Sequence, residues 1–182
     1  NWKVSARLGD LHSTEWLPTI NTPVVILLNL TATDYRQRNR YTHTERTIDA
    51  AASLVHHFAA QQQEVGLFST GLYLDEGEAV MPWIPGRGGV QTATSILEVL
   101  AQIIINEEPV DPVEAFLGTG RISYGTRVFY LGAALKEESL ALLLQRLGDP
   151  NRLRLCYTDE RAQRWEEIST GSGASAGPSS TR

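Results

Sequence analysis

Asn29, Thr31 and Thr33 hold the most chemistry in this chain. They follow the apolar run Val24–Leu28 in PVVILLNLTATD, spaced N-x-T-x-T. Amide and hydroxyl oxygens are hard donors of the kind Mg²⁺ accepts, but Mg²⁺ commonly also takes one or two carboxylates. Asp34 is the one carboxylate nearby in sequence, and strand geometry alone does not turn it inward. The economical reading is a polar strand end whose Asn and Thr side chains satisfy loose backbone groups.

Other candidates are weaker. Gly86-Arg87-Gly88-Gly89 stands between a predicted strand and a predicted helix, where a phosphate-cradling turn would lie. It matches neither G-x-G-x-x-G nor G-x-x-x-x-G-K-[ST], so its glycines read first as shaping a turn. Of the chain's four histidines, His43, His56 and His57 invite attention, and His56 and His57 are helix neighbours pointing about 100° apart. They cannot share a metal as an i, i+4 pair would. Cys156, alone in a predicted strand, reads as a small buried hydrophobe. No G-x-S-x-G, H-E-x-x-H or paired-carboxylate pattern occurs, so no enzyme is expected.

Strands and helices must position these groups. Five consecutive apolar residues, Val24–Leu28, read as a central strand buried on both faces. Thr42 and Glu45 have capping-box spacing ahead of a helix with Ile48, Ala51, Ala52, Val55, Phe58 and Ala59 on one face. Strands are expected over 64–70, 77–83, 127–131 and 153–157, with a turn at 85–89 and a short edge strand over 8–18. Ile96, Leu97, Leu100, Ile103 and Ile104 mark a second helix that Pro109 bars from continuing. Asp111-Pro112-x-Glu114 starts a short third helix, and Leu140, Leu143, Leu144 and Leu147 mark a fourth, stopped by Gly148-Asp149-Pro150. Such alternation implies an α/β fold of three layers, Rossmann-like, with a mainly parallel central sheet.

Composition narrows the function classes. A net charge of −5 gives no general attraction to nucleic acid. A single cysteine excludes an internal disulfide framework. The apolar runs are far shorter than the roughly 20 residues that span a bilayer. The chain opens with polar NWKVSARLGD and no initiator Met, and reads as a piece of something longer. One domain over 1–168 is expected, then a low-complexity tail over 169–182 that should be disordered.

Four stretches in combination (NWKVSARLGDL, NTPVVILLNLTAT, TIDAAASLVHHFAAQQQEVGLFSTG and IPGRGGVQTATSILEVLAQI) resemble the bacterial family called "domain of unknown function 58". The resemblance covers residues 1 to about 158. It implies a von Willebrand factor A-like domain with a metal-ion-dependent adhesion site at the top of its sheet. In that pattern the first loop supplies D-x-S-x-S; here Asn29 stands at the acid and Thr31 and Thr33 at the serines. The second loop supplies a Thr after two glycines; here Val90 follows Gly88-Gly89, and Thr92 would serve only in a shifted register. The third supplies an Asp at a strand end; here Leu131 is followed by Gly132, Ala133 and Ala134. The expectation is therefore a degenerate site with no cofactor, its surviving hydroxyls allowing weak Mg²⁺ binding at most.

The resemblance further implies a protein-interaction module, docking through loops at the carboxyl ends of the strands. Those loops are expected to hold residues 31–40, 69–72, 87–91 and 132–136, with Arg36, Arg38, Arg40 and Arg87 meeting an acidic partner. The implied partner is a MoxR-type AAA+ ATPase. The implied setting is the cytoplasmic side of a protein anchored to the membrane by segments outside this chain. The alternative is a small-molecule or nucleotide-binding domain using the Gly86-Arg87-Gly88-Gly89 turn.

Overall fold

The computed structural model describes residues 22–119, 122–158 and 164–167. The main sheet contains β1 (Val24–Leu28), β2 (Val65–Ser69), β5 (Trp83–Arg87), β6 (Arg127–Gly132), β7 (Leu153–Tyr157) and β8 (Arg164–Glu167). A separate hairpin pairs β3 (Tyr73–Asp75) with β4 (Glu78–Val80). The helices are α1 (Arg40–Ala60), α2 (Val90–Gln102), α3 (Pro112–Gly118) and α4 (Glu137–Leu147).

The strand order is β5-β2-β1-β6-β7-β8. The four inner strands are parallel, and β5 and β8 close the two edges antiparallel. Counted along the sheet this is the order 3-2-1-4-5-6 of doubly wound folds, so the fold is α/β and consistent with a Rossmann-like architecture. The switch point lies between β1 and β6.

β1 explains the layering. Val24, Ile26 and Leu28 face one core with Val55 and Phe58 of α1 and Ile96 and Leu100 of α2. Val25 and Leu27 face the other, with Phe116 of α3 and Leu143 and Leu147 of α4. All five strand residues are buried, which is why the sequence shows no alternation there.

Several sequence expectations need correction. The T-x-x-E pair does not cap α1, which begins two residues earlier at Arg40 after Asn39. Thr42 lies inside the first turn, where Thr44 bonds back to the Arg40 carbonyl. The stretch 77–83 splits between the hairpin and the start of β5, and Pro85 and Gly86 lie within that strand. An edge strand tolerates proline, and the register slips opposite Gly66. Only glycine fits there: a Cβ on Gly66 would meet the Gly86 amide nitrogen at 2.6 Å. α2 ends at Gln102, well before Pro109, and Ile103 is already extended. Strand β8 was not anticipated, and the edge strand expected over 8–18 lies outside the described residues.

Candidate functional site

The N-x-T-x-T segment leaves the carboxyl end of β1 at the switch point, where doubly wound sheets hold their ligands. Asn29 is 1% exposed and Thr31 fully buried. The Asn29 side chain makes four hydrogen bonds. Its Nδ2 donates to Asp34 Oδ2 at 2.8 Å and to the Tyr130 hydroxyl at 3.1 Å. Its Oδ1 accepts from the Thr31 amide at 3.0 Å and from the Thr70 hydroxyl at 3.1 Å. That is the whole capacity of an amide. The Thr31 hydroxyl donates toward Thr70 Oγ1 at 3.0 Å and the Val110 carbonyl at 3.3 Å.

β6 supplies the facing wall. Gly132, at φ +152°, lets the chain pass close to Asn29; a Cβ there would meet the Asn29 Cβ at 2.6 Å. Tyr130 donates its hydroxyl to the Ala133 carbonyl, and Tyr35 donates to the Asn29 carbonyl, each at 2.6 Å. Burial pushes the Tyr35 phenol up to about 12 and the Tyr130 phenol well above its ordinary value. Both therefore stay protonated donors at neutral pH.

The third side comes from the loop between α2 and α3, which reaches the site through a bridge between Thr31 and Asn106. Asp111, capping α3, brings in a second carboxylate that sequence reasoning took only for a helix cap. Its Oδ1 accepts from the amides of Val113 and Glu114, and its Oδ2 from the Ser139 hydroxyl at 2.6 Å. Burial pushes its pKa up, but those hydrogen bonds and the nearby Lys136 outweigh it and hold the carboxyl below the usual range. Asp34 is the nearby carboxylate read from sequence, and the short 3-10 turn Ala32–Asp34 does bring it back onto Asn29. Thr33 is exposed at the rim.

The loop expected to complete the site is elsewhere. β5 runs antiparallel, and its Arg87 pairs with Val65, the first residue of β2. Arg87 and Val90 thus stand at the amino ends of the parallel strands, across the sheet from Asn29, and Val90 is 79% exposed. The placement of 87–91 among the carboxyl-end loops is corrected accordingly. Arg36 and Arg38 are exposed in the loop before α1. Arg40 is engaged: it pairs with Glu107 at 3.0 Å and lies over the Tyr41 ring. His56 and His57 are exposed, whereas His43 is buried with Nδ1 2.6 Å from the Thr158 carbonyl, so that nitrogen carries the proton. Burial pushes the Cys156 thiol up, away from a reactive thiolate.

These residues do not fit the metal that the family resemblance implies. At the acid's position Asn29 turns N–H donors toward Asp34 and Tyr130, and its oxygen faces the protein. Among the described residues no group of three or more His, Cys, Asp or Glu side chains is placed to share a metal. Millimolar Mg²⁺ or Mn²⁺ is expected to leave the melting temperature almost unchanged. A ligand at a hundred times its Kd would add about 2.7 kcal/mol, a shift of several degrees. A saturable shift with either ion would contradict this reading of Asn29.

Among the described residues no helix is long and apolar enough to cross a membrane. No protein-family model matches the chain, and neither a curated protein nor a solved structure matches it.

Proposed function

We propose that the chain is a protein-interaction module of the von Willebrand factor A-like type, whose adhesion site has become a fixed polar docking surface. The observation that carries this reading is Asn29 with all four hydrogen bonds inside the protein. The amide takes the structural place of an ion. It ties together the ends of β1, β2 and β6, and the bridges Thr31 to Asn106 and Leu72 to Ile104 fasten the neighbouring loops. Docking on loops already held in place loses little conformational freedom. Tyr41 and Ile104 are more than half exposed on segments of this surface that the Arg40–Glu107 pair joins, and such apolar side chains suit a protein interface.

The partner proposed is a MoxR-type AAA+ ATPase, meeting this domain on the cytoplasmic side of a membrane-anchored protein. That choice rests on the family resemblance and is an analogy. Arg36 and Arg38 rim the surface and are assigned to acidic groups of the partner, while Arg87 is too far away to join them. Changing Arg36 and Arg38 to alanine should leave the fold intact, because both are exposed. It should weaken binding to the ATPase, and wild-type affinity should fall as salt rises. Binding that survives the double change at physiological salt would overturn the assignment.

A further inference from the structure

Beside Asn29 lies a cleft of about 210 Å³ lined by Asn29, Asp34, Val110, Asp111, Lys136 and Ser139, among others. It is smaller than the roughly 300–1,000 Å³ of cofactor and drug-sized pockets, and suits the end of one side chain. Its two carboxylates arrive from different loops. Asp111 is pinned by two amides and the Ser139 hydroxyl, so its charge is fixed in place. Asp34 is exposed and, among the described residues, takes one side-chain hydrogen bond, from Asn29, which leaves most of its acceptor capacity open. Asn29 presents N–H groups on this side, so the open acceptors belong mainly to Asp34, while Asp111 adds its fixed charge. Lys136 is exposed and stands at the N-cap of α4. Among the described residues it forms no ion pair with either acid.

A hydrated divalent ion is poorly served here. Mg²⁺ sheds water reluctantly, and the Asp111 oxygens are already engaged. An ammonium or guanidinium group brings its own N–H donors, which carboxylate oxygens accept in charge-assisted hydrogen bonds. We propose that this cleft is a socket for a lysine or arginine side chain of the protein partner. The socket rests on the interaction-module reading. It reverses the polarity of a metal-bridged site, because the partner contributes the cation.

The test uses the whole chain and follows backbone amide NMR shifts of residues 29–34, 111 and 139. n-Butylguanidinium and n-butylammonium are titrated against sodium acetate at matched ionic strength. Both cations should give saturable shifts at these residues and acetate none. Asp34→Asn should weaken the cations roughly tenfold, and Lys136→Gln should strengthen them. Both changed residues are exposed, so the fold should hold. No saturable shift, a preference for acetate, or indifference to Asp34→Asn would overturn the socket. ATPase binding is scored separately. An ATPase that binds wild type and Asp34→Asn equally overturns the socket and leaves the interaction module standing. If butylguanidinium binds the cleft and no ATPase binds the domain, the partner reading falls instead.

Discussion

Leu27→Ala should lower the free energy of unfolding by about 2–5 kcal/mol, the range for a truncated core leucine. Leu27 is fully buried in the middle of β1, in the core shared with Phe68, Val113 and Phe116. The missing methyl groups leave a cavity under α3 that the sheet, paired on both sides of β1, can hardly collapse to fill. Exposed Arg38 gives the contrast: Arg38→Ala should change stability by under about 0.5 kcal/mol. Denaturant midpoints of the two variants decide it. Equal effects would mean that β1 is not the central strand.

Asn29→Asp should be the second large effect, and its size should depend on metal. The new carboxylate would face Asp34 across a separation now bridged by a 2.8 Å hydrogen bond, with almost no exposure to water. Replacing a buried donor by a charged acceptor removes the bonds to Asp34 and Tyr130 and sets two acids together. We expect a loss of about 2–4 kcal/mol in EDTA at neutral pH. The same change brings a third carboxylate to Asp34 and Asp111, so Mg²⁺ should restore part of the loss, where it is expected to do almost nothing for the wild type. Unfolding in EDTA and in excess Mg²⁺ measures both effects. An Asn29→Asp variant as stable as wild type in EDTA would show that the amide donors do not hold the site together.

What could be read from sequence was local or periodic. The uninterrupted run in β1 announced a strand buried on both faces, and the helical spacing of Val55 and Phe58, or of Leu143 and Leu147, located the covering faces. The Asp111-Pro112 start of α3 was legible because a cap is a contact between near neighbours. The contact of Asp111 with Ser139 spans 28 positions, and that of Thr70 with Asn29 spans 41, so neither left a sequence signal. Direction was the main loss. Pro85 and Gly86 read as a turn, yet an edge strand needs few of its N–H groups, and the chain runs through them antiparallel to β2. That one reversal moves Arg87 and Val90 to the far end of the molecule. The capping box failed because Thr42 falls inside a helix that had already begun.

Hydrogen exchange of the domain, free and with the proposed ATPase partner, in EDTA and without nucleotide, tests most directly whether the polar end of β1 is a metal-independent docking surface. New protection should appear in the carboxyl-end loops, residues 29–39, 70–72, 103–111 and 132–136, and should be unchanged when Mg²⁺ replaces EDTA. Protection confined to β5 and residues 88–91 at the amino end, or binding that appears only with a divalent ion, would contradict it.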